Sequence, residues 1–505
     1  MFHTQHVGQR SPRTKGTSVE TREHVYIGGE FVPSTGTGTI EVISPHTEQV
    51  IARVPDGTEA DIDRAVIAAR TAFDGEWATT TPAERAEYLT KLSQLIQSRM
   101  DLWAGTISSE MGSPFSFSQM GQIFASTMVL DYYAGLAGTY NFEEVRNGIM
   151  GPALVRREPV GVCAAIVPWN VPLFTTVLKL GPALLAGCTV VLKPSPETPL
   201  DAYLLAEACQ EIGLPKGVLN IVVAGREVGA YLVSHPGIDK VGFTGSTAAG
   251  KLIAQAAGAQ LKRVTLELGG KSASIFLPDA DLAIAVPQAL GSGFMNNGQA
   301  CVAQTRILVS RDKYSETVDA LAEWTAAQVV GDPMDPATQI GPLVASRQRD
   351  RVENYIRIAQ QDGGKIAVGG GRPSSQTTGW YVEPTLVIDV EQNHTIAQEE
   401  VFGPVVSVLA YDSVDEAVRI ANNSDFGLSG SVFTADVAAG IDIARRVRTG
   451  TYTVNSFALE FAAPFGGYKQ SGVGRELGVE GLQAYLESKS ISLPAGTVVP
   501  GVPIV

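Results

Sequence analysis

From Val160 onward, short apolar runs alternate with segments of helical spacing, and this pattern constrains the fold more than any other feature of the chain. The apolar runs are VGVCAAIV, TVVLK, VLNIVVA, KVGFTG and RVTLELGG. Strands that alternate with helices form βαβ units, whose parallel sheet is covered by helices on both faces. A second series of strands and helices follows Gly270. The sequence therefore predicts an α/β fold with two large lobes.

Other segments add elements to this frame. A Gly-Gly pair inside Val25–Val32 predicts a β-hairpin, and Glu41–Val54 predicts further short strands. Helical spacing of apolar residues and short apolar runs predict the remaining elements. These are helices over Asp61–Phe73, Pro82–Glu110, Leu282–Asn296, Lys313–Val330 and Val414–Asn422, and strands over Arg306–Val309 and Val405–Ala410.

Two strand-like segments, Leu154–Pro159 and Ser488–Leu493, have no obvious partner nearby in the sequence. The second alternates polar and apolar residues (SKSISL), as an edge strand does. Because natural proteins pair or cover exposed strand edges, we expect the two segments to form a small projecting sheet used for subunit contact. A homodimer or a homotetramer is therefore expected.

Composition excludes several classes of function. Of the 505 residues 44% are hydrophobic, which is enough for a large core. Lys and Arg number 38 against 52 Asp and Glu, a net charge of −14, so we expect no nucleic acid and no anionic membrane as partner. The four cysteines form no C-x-x-C pair, so neither a metal site nor a disulfide is expected.

No secretory or membrane segment is predicted. The first 24 residues are polar and lack an apolar signal core, which is typical of a flexible tail. Pro168 and Pro172 interrupt the uncharged stretch Pro159–Leu178, which favours a buried strand and a helix over a membrane span. We expect a cytoplasmic enzyme with a small-molecule ligand.

Cys301 is the candidate nucleophile. In FMNNGQACVAQT, polar residues and a glycine break an apolar helix just before the sulfur, a position that exposes the thiol. A reachable thiol can form covalent intermediates, whereas the alternative for a single cysteine is a small buried apolar side chain. Cys163, Cys188 and Cys209 fit that alternative, because each lies in an apolar segment. No histidine stands in a recognisable relation to Cys301, which disfavours a Cys-His hydrolase.

Two polar residues follow apolar strands. Glu267 precedes two glycines in LELGGK, where a sharp turn places a carboxylate at a cleft; a solvated glutamate at the strand end is the alternative. Asn170 follows the strand in IVPWN, and its amide is a candidate donor to a developing oxyanion.

Two further strand ends suit a nucleotide, although no G-x-G-x-x-G follows a strand. VGFTGSTAAGK places Gly245 and Ser246 before a helix, whose free N–H groups suit phosphate. Lys193 in VVLKPSPETP stands at the carboxyl edge of the predicted sheet, where α/β folds hold ligands.

These motifs occur together in one order. They are PWN at 168–170, KPSPETP at 193–199, FTGST at 243–247, LELGGK at 266–271, GQAC at 298–301, EEVFGP at 399–404 and PFGGYKQSG at 464–472. From about residue 25 to about residue 495, the chain resembles the aldehyde dehydrogenase superfamily, in its NAD(P)-dependent hydrolytic form.

The resemblance implies a role for each matching residue. Cys301 matches the catalytic cysteine, Glu267 the glutamate that activates the deacylating water, and Asn170 the oxyanion-binding amide. Lys179 and Glu476 match a lysine and a glutamate that relay protons near the base.

It also implies two binding regions. The cofactor-binding positions are Ile166, Pro168, Trp169, Lys193, Ser195, Gly245, Ser246, Leu268, Gly269, Glu400 and Phe402, with Gln348 and Arg351 as further ribose contacts. The substrate-tunnel positions are Val171, Thr175, Leu178, Leu459 and Phe465, with Ala300 and Val302 flanking the nucleophile. Only Thr175 among them is polar and none is arginine, which favours a neutral aliphatic or aromatic aldehyde.

One position departs from the family pattern. Many NAD-preferring members have a glutamate that accepts from the adenosine 2′-hydroxyl, and here that position is Pro196. Its loss removes both an acceptor for NAD and the repulsion of a 2′-phosphate. We expect NAD to be favoured, with NADP as an alternative cofactor.

The implied reaction is oxidation of an aldehyde to the carboxylic acid through a thiohemiacetal and a thioester on Cys301, with hydride transfer to NAD(P). One alternative is a coenzyme A-acylating semialdehyde dehydrogenase, against which the water-activating Glu267 argues. The other is a non-catalytic structural family member, against which the intact Cys301, Glu267 and Asn170 argue.

The resemblance finally implies two Rossmann-like α/β lobes with a small projecting oligomerisation sheet. The predicted boundaries are a flexible tail over 1–24, a cofactor-binding domain over 25–140 and 160–266, a catalytic domain over 267–470, and oligomerisation segments over 141–159 and 480–498.

Overall fold

The computed structural model describes residues 19–505, and within them the strands form four sheets. The strands are β1 (Glu20–Thr21), β2 (His24–Ile27), β3 (Glu30–Pro33), β4 (Thr39–Ile43), β5 (Val50–Pro55), β6 (Glu143–Gly148), β7 (Gly151–Pro159), β8 (Val162–Ile166), β9 (Thr189–Lys193), β10 (Leu219–Ile221), β11 (Lys240–Thr244), β12 (Arg263–Glu267), β13 (Ala273–Phe276), β14 (Arg306–Ser310), β15 (Lys365–Val368), β16 (Thr385–Ile388), β17 (Val405–Tyr411), β18 (Gly430–Phe433), β19 (Thr453–Val454), β20 (Gly472–Val473) and β21 (Leu486–Ser492).

Helices cover the sheets and connect most of the parallel strands. They are α1 (Glu59–Asp74), α2 (Pro82–Ser98), α3 (Met100–Met111), α4 (Phe115–Phe117), α5 (Ala125–Leu136), α6 (Pro172–Ala186), α7 (Leu200–Glu211), α8 (Arg226–Ser234), α9 (Thr247–Gly258), α10 (Leu282–Phe294), α11 (Tyr314–Ala326), α12 (Ser346–Gln361), α13 (Thr395–Gln398), α14 (Val414–Asn422), α15 (Val437–Arg446) and α16 (Gly478–Gln483). A π-helical segment, Ser118–Phe124, joins α4 to α5.

The first lobe is built on an eight-stranded sheet in the order β20-β12-β11-β8-β9-β10-β2-β3. Strands β12, β11, β8, β9 and β10 are parallel, and every residue of β8, β9 and β11 is buried. Strands buried on both faces need apolar side chains throughout, which is why these segments stood out in the sequence. The predicted hairpin at Val25–Val32 is confirmed as the antiparallel pair β2 and β3.

The second lobe is built on a seven-stranded sheet in the order β15-β16-β17-β14-β13-β18-β19. All of its pairings are parallel except that of β15 with β16. The two lobes therefore match the predicted α/β class, and the uncharged stretch 159–178 forms β8 and the first half of α6, as predicted.

Strands β21, β7 and β6 form a small sheet of their own, which is not hydrogen-bonded to the sheet of either lobe. Seven residues of β21 pair antiparallel with β7, with Ser488 opposite Arg157 and Ile491 opposite Leu154. The predicted pairing of Leu154–Pro159 with Ser488–Leu493 is confirmed, while the use of these segments in subunit contact stays a prediction.

Three details differ from the sequence-based expectations. The predicted helix over Pro82–Glu110 is two helices, because the Arg99 backbone leaves helical geometry (φ −121°, ψ 27°) and its guanidinium reaches Glu211 of α7 at 2.8 Å. Of the predicted tail over 1–24, residues 1–18 lie outside the described residues, and Glu20–Thr21 pair with β5 instead. Gly472–Val473, beyond the predicted catalytic segment, returns to the first sheet beside β12. The remaining domain boundaries stay predictions.

In the described part of the chain, no helix has both the length and the apolar character that a membrane crossing requires.

Candidate active site

Asn170 lies in the turn between β8 and α6, beside the segment that carries Cys301. Its side-chain amide donates to the Gln299 carbonyl at 2.8 Å, and its own carbonyl accepts from Asn296 Nδ2 at 2.8 Å. An amide nitrogen carries two N–H groups, so one stays free for a ligand. These two hydrogen bonds attach the predicted oxyanion donor to Asn296 and Gln299, and Gln299 lies two positions before Cys301 in the sequence.

Cys301 follows a turn that few residue types can make. Asn296 and Asn297 have φ angles of 52° and 62° in the turn after α10, and asparagine tolerates this left-handed region better than other side-chain-bearing residues. Cys301 is a free, partly buried thiol. Burial, and then the negative charges of Glu400 and Glu267, raise the pKa of Cys301 to about 12. Burial thus disfavours the thiolate form in the protein alone.

Glu267 ends β12 and is almost completely buried, with 1% of its surface exposed. Neither carboxylate oxygen has a hydrogen-bond partner within residues 19–505. Burial, followed by the charge of Glu476, raises the pKa of Glu267 well above its usual range, and Lys179 and Arg475 oppose this effect. A carboxylate with a raised pKa can accept a proton near neutral pH, as a general base must.

Lys179 and Glu476 meet next to Glu267 as a buried ion pair. Lys179 Nζ lies 2.9 Å from Glu476 Oε1 and donates to Thr244 Oγ1 at 2.6 Å. The Glu476 backbone exchanges two 2.7 Å hydrogen bonds with Phe465, a residue of the predicted tunnel. The structure thus brings together two residues almost 300 positions apart.

Two cavities meet at Cys301. One has a volume of about 240 Å³ and contains most of the predicted cofactor positions. The other has a volume of about 200 Å³ and contains Glu267, Glu476 and the predicted tunnel positions. The residues that line both cavities are Asn170, Val171, Thr175, Thr244 and Cys301. A reacting group bound at Cys301 is therefore reachable from both sides.

The first cavity has the features that a dinucleotide needs. Ser246 caps the N-terminus of α9, where free N–H groups suit phosphate. The rings of Trp169 and Phe402 meet edge to face with centroids 5.3 Å apart, and they form an aromatic wall. A Cβ added at Gly269 would lie 2.6 Å from Glu400 Oε2, so glycine leaves room for this carboxylate beside the cavity. Burial raises the pKa of Glu400 to about 7.

Most of the predicted cofactor positions line this cavity. They are Pro168, Trp169, Gly245, Ser246, Leu268, Gly269, Glu400 and Phe402, together with Gln348 and Arg351. Gln348 donates to the Phe402 carbonyl and Arg351 to the Glu400 carbonyl, both at 2.7 Å, so these two side chains also hold the loop that carries Glu400.

Three predicted cofactor positions lie outside the cavity lining. Ile166 is buried at the end of β8, in register with Lys193 at the end of β9. Lys193 Nζ donates to the carbonyls of Pro194 and Ala224 at 2.9 and 2.7 Å, and burial lowers its pKa to about 8. Ser195 donates to the Glu197 carboxylate, which also pairs with Arg347.

The five predicted tunnel positions, and Ala300 and Val302, all line the second cavity. Sequence reasoning missed part of its wall: Phe117, Gly121, Ala125, Phe174, Met295, Phe457, Ala458 and Phe461. Phe174 lies on the same stripe of α6 as Val171, Thr175 and Leu178, so helical periodicity would have found it. Phe117, Gly121 and Ala125 come from a distant part of the chain and carry no such signal. Thr244, which accepts from Lys179, was also missed.

The sequence model described as "Aldehyde dehydrogenase family" matches residues 31–491 of the chain. The chain belongs to this family. Geranial dehydrogenase of Castellaniella defragrans is 45% identical over 473 residues, which cover 93% of this chain and 98% of that protein. The 3-succinoylsemialdehyde-pyridine dehydrogenase of a Pseudomonas species is 44% identical over 92% of this chain and 97% of its own.

Solved structures of aldehyde dehydrogenases share the fold. The Mycobacterium tuberculosis enzyme complexed with NAD⁺ superposes with a TM-score of 0.94 at 47% identity, covering 95% of this chain and all (100%) of that one. Aldehyde dehydrogenase C of Pseudomonas syringae, a mutant complexed with NAD⁺ and octanal, superposes with a TM-score of 0.91 at 42% identity, covering 96% of this chain and 100% of that one. The predicted family and fold class are confirmed, and this aldehyde dehydrogenase oxidises an aldehyde to the carboxylic acid with NAD(P).

Proposed function

We propose that this aldehyde dehydrogenase oxidises neutral, apolar aldehydes through covalent catalysis by Cys301, with Asn170 and Glu267 as its partners. The observation that carries this proposal is the position of Cys301 at the junction of the two cavities. The cofactor side presents Glu400 and Phe402, and the tunnel side presents Glu267.

In the first step, the Cys301 thiolate adds to the aldehyde carbon, so that a C–S bond forms and negative charge develops on the carbonyl oxygen. The free N–H of Asn170 and the Cys301 backbone N–H donate to that oxygen. Loss of one such donor typically slows a reaction about 10²–10³-fold.

The cofactor cavity would hold the dinucleotide through Ser246 and Trp169 at the pyrophosphate, Glu400 at the nicotinamide ribose and Phe402 at the nicotinamide ring. When bound, NAD(P) supplies the hydride acceptor that converts the tetrahedral adduct into a thioester on Cys301.

In the last step, Glu267 takes a proton from a water molecule, whose oxygen attacks the thioester carbon. The C–S bond then breaks, the acid leaves through the tunnel, and the Cys301 thiolate is restored. The Lys179–Glu476 pair lies next to Glu267 and is placed to receive the proton.

NAD is the proposed preferred cofactor, and NADP is also used. The solved relatives described above hold NAD⁺. Pro196 carries no carboxylate to repel a 2′-phosphate, and the neighbouring Glu197 carboxylate is engaged by Ser195 and Arg347. The chain therefore lacks at Pro196 both the acceptor for the 2′-hydroxyl of NAD and the negative charge that would repel the 2′-phosphate of NADP.

The substrate proposal rests on the tunnel wall. Apart from Glu267 and Glu476, its lining among the described residues is uncharged, and no lysine or arginine is present. A second carboxylate on the substrate would be buried without a partner, which is costly. The names of the relatives point the same way, since one acts on geranial and another was solved with octanal.

The test measures NADH and NADPH production from octanal, benzaldehyde and succinic semialdehyde, each with and without coenzyme A. We expect kcat/KM for the two apolar aldehydes to exceed that for the semialdehyde by roughly tenfold or more, because of the unpaired charge. Equal efficiency with the semialdehyde would refute the substrate class, and an acyl-coenzyme A product would favour the acylating alternative.

We also propose a homodimer or a homotetramer assembled through the sheet of β6, β7 and β21, because this sheet is not part of either lobe's sheet and has edge strands that can pair or be covered. The cytoplasmic location stays a prediction.

A further inference from the structure

The Lys179–Glu476 pair is supplied by two separate elements. Lys179 belongs to α6, whereas Glu476 lies in the turn before α16. This turn is strained, because the buried residue Leu477 has a φ of 59°, a value that residues other than glycine rarely adopt. Some contact must therefore hold the turn against α6.

Tyr133 of α5 touches both elements and is completely buried. A Cβ added at Gly181, on α6, would lie 3.0 Å from Tyr133 Cδ2, so the ring rests on this helix. A Cβ added at Gly481, on α16, would overlap the Tyr133 hydroxyl and lie 3.1 Å from the Glu476 carbonyl carbon. The hydroxyl is therefore next to the Glu476 backbone.

Two buried polar atoms at this place have no hydrogen-bond partner within residues 19–505. They are the Tyr133 hydroxyl and Glu476 Oε2, while Glu476 Oε1 is taken by Lys179. Buried polar groups are almost always hydrogen-bonded, because an unpaired one loses its solvation without compensation. A hydroxyl is a donor and a carboxylate oxygen an acceptor, so the two groups are chemically complementary.

We propose that Tyr133 is a positioning residue for Glu476, whose carboxylate accepts the Tyr133 O–H through one bridging water. This contact fixes the Lys179–Glu476 pair beside Glu267 and so controls the basicity of Glu267. The inference rests on the proposed role of Glu267 as the base in thioester hydrolysis.

The charges around Glu267 make its basicity sensitive to this contact. The carboxylate of Glu476 raises the pKa of Glu267, whereas Lys179 and Arg475 lower it. Besides burial, the groups that act on the Tyr133 hydroxyl are Glu476, Tyr132, Glu480 and the backbone N–H of Leu477. Of these, only Glu476 also acts on Glu267, so a displaced Glu476 is the route by which Tyr133 changes the pKa of Glu267.

The test compares Tyr133→Phe, which removes only the hydroxyl, with Tyr132→Phe at the neighbouring, partly exposed tyrosine. For Tyr133→Phe we expect kcat to fall roughly tenfold, as for one hydrogen bond to a charged group. The apparent pKa of the kcat–pH profile should move by about half a unit or more, while KM and the rate of NADH formation in a single turnover are unchanged. Tyr132→Phe should match the wild type in all four measurements.

A kcat–pH profile of Tyr133→Phe that superposes on the wild type, or an equal displacement in Tyr132→Phe, overturns the proposal. Gly481→Ala provides a second test, because the added Cβ displaces the Tyr133 hydroxyl without removing it. This variant should also shift the kcat–pH profile. An unshifted profile in a folded Gly481→Ala enzyme overturns the proposal as well. A wild type that forms neither NADH nor acid would instead contradict the proposed function itself.

Discussion

Glu267→Gln separates the two halves of the proposed reaction. The amide has the shape of the carboxyl but cannot accept the proton of water. Thioester formation precedes that proton transfer, so the variant should release about one NADH per active site in a burst and then turn over slowly. General-base catalysis typically contributes about 10²–10⁴-fold, and we expect the steady-state rate to fall by that factor. No other described carboxylate near Cys301 is free to replace Glu267, since Glu476 is bound to Lys179 and Glu400 accepts from the Gly270 N–H at 2.9 Å.

The same variant should be more stable than the wild type at neutral pH. Burial and the charge of Glu476 raise the pKa of Glu267 in the folded enzyme above the value of about 4.3 for an unperturbed glutamate. Between these two values the folded state holds a proton that the unfolded state has released, so the stability of the wild type falls as pH rises. Each pH unit of that window corresponds to about 1.4 kcal/mol for one group. Glutamine removes this contribution, because it does not titrate.

Stopped-flow NADH fluorescence measures the burst, and mass spectrometry of the quenched enzyme locates the acyl group on Cys301. Thermal unfolding at pH 5 and pH 8 measures stability, and the gain from Glu267→Gln should be larger at pH 8. Glu480→Gln, on the outer side of the Glu476 turn, is the matched control and should change neither quantity. Absence of both burst and acyl-enzyme would refute the assignment to water activation and place Glu267 in thiol activation.

Cys301→Ala should abolish dehydrogenase activity, while NADH binding measured by fluorescence persists, and residual turnover would exclude the covalent mechanism. The control Cys209→Ala should retain turnover, with slightly lower stability because the substitution leaves a cavity in the core. Pro196→Glu should raise the ratio of kcat/KM for NAD over NADP roughly tenfold or more, as one hydrogen bond to a charged group would. If the wild type rejects NADP outright, Pro196 is not the discriminator. Deletion of residues 487–505 removes most of β21 and should give a smaller species by light scattering, whereas an unchanged mass would show that this strand lies outside the subunit interface.

Local sequence patterns determined a large part of this protein. Strands β8, β9 and β11 are buried on both faces, so they must be continuous apolar runs, and such runs are visible without a structure. The turn before Cys301 requires left-handed backbone, which explains why Asn296 and Asn297 stand there. The family resemblance likewise identified Glu267, Asn170 and the tunnel residues of α6, because each lies in a short segment whose residues act together.

Only the tertiary structure decided which distant segments meet. The tunnel wall formed by Phe117, Gly121 and Ala125 comes from the region of α4 and α5, and no local pattern there signals that it faces Cys301. Tyr133 likewise has no motif of its own, yet its ring rests on Gly181 and its hydroxyl lies beside Glu476. The physical reason is that propensity and periodicity act between residues close in sequence, whereas burial and charge act between atoms close in space. Burial, together with the charges of Glu476 and Lys179, sets the raised pKa of Glu267, and this shift therefore exists only once the chain has folded.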